Sequence, residues 1–352
     1  MSKKALIAMS GGVDSSVAAA MMTEAGYDCL GVTMRLHDGD NCGAAKEAED
    51  AQKIAERLGF PFEVADLREV FSKQVMDRFV SAYEAGDTPN PCIECNRYLK
   101  FGALMDYAEE QGCDLLVTGH YARVEYDEDS GKYRLRKAVN TAKDQTYVLY
   151  FLTQQQLARI AFPLGEMESK EQIRSIAAGY GFVSAHKADS QDICFVPDGK
   201  YADFIRQRTG KEYPAGDFVD ADGKVLGRHK GLIGYTIGQR RGLGLALPAP
   251  LYVRRKDIKT NTVLLTPESE LYTARLVADG FNWVEGEAPK EPIKVTARTR
   301  YNAKEAAATV TALPDGKAQV VFDAPQRAVT TGQAVVLYDG DYVVGGGRIC
   351  EV

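Results

Sequence analysis

The sequence predicts an α/β domain on a mostly parallel sheet, then a small β-rich domain, then a C-terminal β-barrel-like domain. Three observations lead there. Over the first 120 residues, short apolar runs alternate with stretches of helical periodicity, as right-handed βαβ crossovers with helices on both sheet faces require. Near residue 200 Gly and Pro become frequent and short β-rich runs dominate. The length, 352 residues with 45% hydrophobic content, supports two or three domains that each bury a core. The expected boundaries are 1–203, 204–272 and 273–352.

The elements follow in order. Residues 5–9 read as a buried strand, 15–25 as a helix ended by Gly26, and 29–34 as a second strand. Residues 44–58 form a helix with Ala48, Ala51, Ile54, Ala55 and Leu58 on one face, stopped by Gly59 and Pro61. A short strand at 62–65 precedes a helix at 69–85, where Val75, Phe79 and Tyr83 recur every fourth residue. A helix at 96–111 and a strand at 115–118 complete the alternation. A hairpin at 122–126 and 133–137 and helical segments at 154–160 and 169–180 follow. Beyond residue 250, β-rich runs lie at 251–254, 262–265, 293–299, 306–311, 319–322, 334–338 and 343–349.

Composition excludes several classes. No apolar run approaches the roughly 18–20 residues of a membrane span, and the stretch 5–9 is too short for a signal peptide. The expectation is a cytoplasmic protein without a membrane partner. Forty-three Lys and Arg against 49 Asp and Glu give a net charge of −6, which argues against a generally basic nucleic-acid binder. The charge is uneven, however: residues 224–259 hold nine basic side chains against Asp257 alone, a stripe that suits either a polyanion or solvent. Seven cysteines, an odd number, do not describe a disulfide framework. Cys29, Cys113 and Cys350 sit in or beside apolar stretches as packing residues, whereas Cys42, Cys92, Cys95 and Cys194 lie in polar or Gly/Pro-containing segments. His37, His186 and His229 carry no readable role.

Ser10-Gly11-Gly12-Val13-Asp14-Ser15-Ser16 joins the first strand to the first helix. Two glycines let the backbone approach a ligand closely, and the helix start supplies N–H groups and a positive dipole end. The serines add hydroxyls, and Asp14 is of a type that holds Mg²⁺. The loop is neither a Walker A motif nor G-x-G-x-x-G. It resembles the PP-loop of the ATP pyrophosphatases, whose domains are of the adenine nucleotide α-hydrolase-like type. That resemblance implies cleavage of ATP between the α and β phosphates and transfer of AMP to an oxygen of the acceptor.

Thr88-Pro89-Asn90-Pro91-Cys92-Ile93-Glu94-Cys95-Asn96 reads as a Pro-rich loop running into a helix, with Cys95 at the helix start, where the dipole would lower its thiol pKa. Taken alone, Cys-x-x-Cys reads as half of a zinc site, with Cys42 or Cys194 available to extend it. Cys194 lies in Asp189-Ser190-Gln191-Asp192-Ile193-Cys194-Phe195. With Thr118-Gly119-His120-Tyr121-Ala122, Lys143-Asp144-Gln145, Tyr235-Thr236-Ile237-Gly238-Gln239-Arg240-Arg241-Gly242, Arg300-Tyr301, Pro325-Gln326 and Gly332-Gln333, these stretches resemble the bacterial tRNA-specific 2-thiouridylases along essentially the whole chain.

That resemblance implies an ATP-dependent sulfurtransferase acting on the wobble uridine of tRNA. Ala8, Met9, Ser10, Gly11, Gly12, Val13, Asp14, Ser15, Met34 and Gly119 would bind ATP, with Mg²⁺ at Asp14. Cys95 would be the nucleophile and Cys194 the carrier of a persulfide, the two joining as a disulfide after transfer. Asn90, Pro91 and Cys92 would meet the target base. His120, Lys143, Asp144, Gln145, Arg300, Tyr301 and Gln333 would contact tRNA. The implied partners are tRNAs with Lys, Glu and Gln type anticodons and a sulfur-donor protein, a cysteine desulfurase or a relay protein. Two positions depart from the common pattern: Cys92 stands where many relatives have Asp, and Asn302 where Arg is common. Cys92, Cys95 and Cys194 together also suit an iron–sulfur cluster in place of the persulfide. Two rivals from other classes are a small-molecule amidating enzyme and a non-catalytic tRNA-binding or redox module. The first lacks a visible glutaminase part, and the second leaves residues 10–16 unexplained.

Overall fold

The structure, a computed structural model, describes residues 3–37, 44–186, 193–196 and 199–352. Strand β1 (Lys4–Ala8) leads through a tight turn into helix α1 (Val13–Glu24); β2 (Asp28–Arg35), helix α2 (Ala44–Leu58) and β3 (Phe62–Asp66) follow. With β4 (Leu115–Val117) and the later two-residue strand Ile160–Ala161, they form a parallel sheet in which β1 lies between β2 and β4. Both faces of β1 are covered, as parallel strands demand. Leu6 points into one core with Leu30, Phe101 and Leu116, and Ala5 and Ile7 point into the other with Val17, Ala18 and Ile54. Helix α1 is buried along most of its length, which its run of Val and Ala allows.

The helix that follows β3 spans 68–84, close to expectation. The next differs: it runs over 91–110, beginning five residues before the expected start. Pro91 occupies the first helical position, and the Asn90 side chain accepts a hydrogen bond from the Cys92 N–H at 3.1 Å. Proline is pre-organised for that position and Asn is among the best N-caps, so the Asn-Pro pair starts the helix rather than delaying it. The middle of this helix, Cys95–Ala103, is π-helical.

The hairpin β5 (Ala122–Asp127) and β6 (Lys132–Lys137) belongs by sequence to the first domain, yet its register continues the C-terminal sheet through a β6 pairing with the last strand. The central module is a four-stranded sheet from 216–266 around Phe218, Tyr235, Val253, Val263 and Leu265. Six strands between Tyr272 and Glu351 close into a barrel by the pairing of Tyr272–Trp283 with Tyr342–Glu351. The strand Ala334–Asp339 shows why barrel and first domain share one body. Val335 and Leu337 face the barrel core, while Ala334, Val336 and Tyr338 face the first domain's core beside Tyr147 and Leu149. Among the described residues no helix is long and apolar enough to cross a membrane.

Candidate active site

The first half of the site is the turn between β1 and α1. Gly11 has φ of +67°, and a Cβ there would lie 2.4 Å from the Glu47 carbonyl oxygen. Only glycine fits. The Gly12 carbonyl accepts from the hydroxyls of Ser16 at 2.7 Å and Ser15 at 3.1 Å, and Ser15 Oγ accepts from the Ser10 N–H at 3.1 Å. These serines brace the loop. Past β4, a Cβ on Gly119 would lie 2.9 Å from Asp14 C and Ser15 N, so the strand end abuts the loop.

Between them opens a cleft of about 720 Å³ lined by Ala8, Met9, Ser10, Gly12, Val13, Asp14, Ser15, Met34, Gly119, His120, Lys143, Gln145 and Tyr301. It brings together residues the sequence placed in two groups, nucleotide-binding and tRNA-binding. It also holds residues that sequence reasoning did not assign to a site, among them Lys100, Tyr121 and Asn302, the last noted only as a departure from the common pattern. Another unassigned residue, Lys170, donates to both Asp14 carboxylate oxygens at 2.8 Å, and the Tyr121 hydroxyl donates to Oδ1 at 2.6 Å. No local signal could have paired residues 156 apart in sequence. Three of about four acceptor directions of Asp14 are therefore used. The carboxylate does not fit the open Mg²⁺ ligand expected from sequence, because Lys170 already supplies the cation there.

His120 is buried. Its Nδ1 lies 2.6 Å from Thr118 Oγ1 and its Nε2 lies 3.5 Å from Lys100 Nζ. An ammonium can only donate, so Nε2 accepts and the proton sits on Nδ1. Burial, reinforced by the Lys100 charge, pushes this imidazole well below its ordinary range.

The second half is the 91–110 helix. Cys92 in its first turn is exposed, and Cys95 in its second turn is half-buried. The expected lowering of the Cys95 pKa is not what the structure gives. Desolvation by the surrounding protein pushes both thiols up, with Lys100 the opposing charge at each. The reason is the earlier helix start, which carries Cys95 away from the dipole end and against an apolar cluster. That cluster contains Phe71, Val75 and Phe79, with Ile193, Phe195 and Val196. Phe195 is buried edge-on to Phe71 at 5.6 Å and to Phe79 at 5.3 Å. Cys194, exposed beside it, is thereby anchored on the same cluster that receives Cys95. Cys42 and residues 187–192 of the Cys194 motif lie outside the described residues.

Among the described residues no group of three His, Cys, Asp or Glu side chains is placed to hold a metal ion. Among the described residues Cys92, Cys95 and Cys194 are thus not gathered as a ligand set for an iron–sulfur cluster; the zinc alternative draws also on Cys42, outside the described residues.

The expected tRNA contacts divide. Lys143, Gln145 and Tyr301 line the cleft with His120. Asp144 is buried, accepting from Thr146 Oγ1 at 2.7 Å with the Arg298 guanidinium 3.6 Å away. Arg300 donates to the Ala328 carbonyl at 2.7 Å and to Thr330 Oγ1 at 2.6 Å. Gln333 donates to the Thr88 carbonyl at 2.7 Å, tying the segment before the helix to the barrel. These three hold domains together rather than face the cleft. A second cavity of about 490 Å³ follows the Glu94 and Arg97 face of the helix and is lined also by Arg78, Asn90, Pro91 and Arg348.

A glycine–serine phosphate loop at the end of a central parallel strand, backed by a buried helix, defines an ATP-pyrophosphatase type of nucleotide domain. Residues 3–198 match the family described as the tRNA methyl transferase HUP domain, 202–267 its PRC-barrel domain, and 273–349 the aminomethyltransferase β-barrel domain. The chain is 48% identical over 356 aligned positions to the tRNA-specific 2-thiouridylase MnmA of Acetivibrio thermocellus, covering 99% of both chains. It is 49% identical to the protein of the same name from Carboxydothermus hydrogenoformans, covering 99% of this chain and 97% of the relative. It is 45% identical to that of Clostridioides difficile, covering 99% and 98%. The chain belongs to the tRNA-specific 2-thiouridylase family.

Proposed function

We propose that this chain converts the wobble uridine, position 34, of tRNAs with Lys, Glu and Gln type anticodons to 2-thiouridine, consuming ATP and sulfur from a donor protein. One observation carries the reading. The nucleotide cleft and the cysteine-bearing helix share a wall, with Lys100 lining the cleft and acting electrostatically on both Cys92 and Cys95. A base seated against Asn90, Pro91 and Cys92 would present O2 to the cleft and C2 to the sulfur side.

The chemistry runs in two halves. In the first, O2 of the flipped-out uridine attacks the α-phosphorus of ATP and pyrophosphate leaves. The loop N–H groups and hydroxyls of residues 10–16 hold the phosphates, and Lys170 neutralises charge at the Asp14 end. In the second, the terminal sulfur of a persulfide on Cys194 attacks C2, and AMP departs with O2. The Cys95 thiolate then attacks Cys194 Sγ, which breaks the sulfur–sulfur bond, leaves the sulfur on C2 and forms a Cys95–Cys194 disulfide. A dithiol reductant restores both thiols. Sulfane sulfur would reach Cys194 from a cysteine desulfurase or relay protein.

The test is turnover with unmodified tRNA, ATP and a persulfide-loaded donor. Wild type forms AMP, pyrophosphate and 2-thiouridine. Cys95→Ser and Cys194→Ser each lower thiolation by at least about 10³-fold while tRNA-dependent pyrophosphate release continues. AMP formation that needs ammonia or glutamine and ignores tRNA would overturn the reading.

A further inference from the structure

We propose that Lys100 is a catalytic residue of the second half-reaction, stabilising the negative charge that passes from the incoming sulfur to the departing AMP. The inference rests on the thiolation reading above and adds to it a cation at the reacting atoms.

Placement is the first argument. C2 of the base must lie between the α-phosphate, held in the cleft, and the sulfur, held on the helix. Lys100 is on that boundary: it lines the cleft, and it is the charge opposing desolvation at Cys92 and at Cys95.

The backbone supplies the second. In an α-helix, residues five apart are about 140° round the axis at 3.6 residues per turn, so Cys95 and Lys100 would point to different sides. The segment Cys95–Ala103 is π-helical, and its i→i+5 hydrogen bonds set residues five apart one turn above each other. The wide turn begins at the cysteine and includes the lysine. It brings Lys100 round to the Cys95 side while the helix continues as α from Leu104.

Availability is the third. Lys170, another lysine at this site, is committed to Asp14 at 2.8 Å. Among the described residues Lys100 pairs with no carboxylate; its polar neighbour is Nε2 of neutral His120 at 3.5 Å. An imidazole acceptor fixed by Thr118 orients an ammonium without cancelling its charge. The half-buried setting of Cys95 against its apolar cluster makes such a charge worth more than it would be in water.

The experiment separates the two half-reactions in Lys100→Met and Lys100→Arg. With wild type shown to form 2-thiouridine, Lys100→Met lowers tRNA-dependent ATP–pyrophosphate exchange at least about tenfold less than it lowers thiolation. Its thiolation kcat falls by about 10²–10³-fold, the range for losing one oriented charge-stabilising group, and adenylated tRNA accumulates. Lys100→Arg recovers at least about a tenth of the rate. Equal loss of exchange and thiolation would make Lys100 a nucleotide ligand and overturn the proposal, as would unchanged thiolation. Absence of 2-thiouridine with wild type under the same conditions would instead count against the thiolation reading itself.

Discussion

The two cavities along the 91–110 helix are built in opposite ways. The nucleotide cleft is built mainly on the ends of neighbouring parallel strands of the first domain, β1, β2 and β4, whose cores are closed on both faces, with Tyr301 and Asn302 contributed by the barrel domain. The arginine-lined cavity draws Arg78 from one helix, Arg97 from the next, and Asp279 and Arg348 from barrel strands. The first rests mostly on one domain's fold and the second mostly on docking. The nucleotide half should therefore be rigid and sensitive to single backbone atoms, and the acceptor half tolerant of substitution and dependent on the barrel.

Gly119→Ala is the sharpest way to break that contrast. The new methyl would press on the backbone of Asp14 and Ser15 at 2.9 Å. Overpacking costs about 1–3 kcal/mol, or about 5–150-fold in affinity if the strain falls on the bound state. Titration calorimetry should show ATP binding weakened by that factor and tRNA binding unchanged. If tRNA binding fell equally, the two halves would not be separable.

Arg97→Met probes the other side with a smaller effect. The Arg97 guanidinium lies 5.1 Å from the Phe151 ring centroid and 3.4 Å from the Tyr150 hydroxyl, and methionine keeps the apolar contact. The expected result is a 3–10-fold rise in KM for tRNA with ATP affinity unchanged. If Arg97 meets a phosphate, the slope of log affinity against log salt also falls by about 0.9. A variant that loses ATP binding instead would show that the two cavities communicate.

The same contrast decides what was legible in the sequence. Residues 10–16 could be read because strand, glycine turn and helix are consecutive, and their chemistry is set by local backbone geometry. The helix–strand alternation and the β-rich end were legible from periodicity, including the hairpin at 122–137. That this hairpin joins the C-terminal sheet was not, because strand partners more than 200 residues apart leave no local trace. Lys170 on Asp14, a pairing across 156 residues within the first domain, and the docking of Asp144, Arg300 and Gln333 leave no local trace for the same reason. The start of the 91–110 helix was misplaced although its signal was present: Asn-Pro favours extended chain before the proline, but the pair is also a cap followed by a favoured first residue. The π-helical turn has no sequence signature that periodicity can detect.

The central domain offers the finest test, because its Lys256 meets the segment before the cysteine-bearing helix and lies outside the nucleotide cleft. Lys256 is buried, with Nζ 5.6 Å from the Tyr83 ring centroid and 3.4 Å from the Asp87 carbonyl oxygen. Desolvation lowers its pKa from 10.5 to about 8, against a small opposing pull from Asp87. The folded protein thus holds this proton less firmly than the unfolded chain does. Between about pH 8 and 10.5 the unfolded state binds more protons, so this lysine's contribution to stability rises with pH; below pH 8 its burial penalty stands in full. Lys256→Met should melt higher than wild type at pH 7, and the gap should narrow as pH rises from 8 to 10. ATP binding should not change, since Lys256 lies outside the cleft. A gap independent of pH would mean that Lys256 reaches water in solution, and that the central domain sits more loosely on the first than the sealed contact at Asp87 implies.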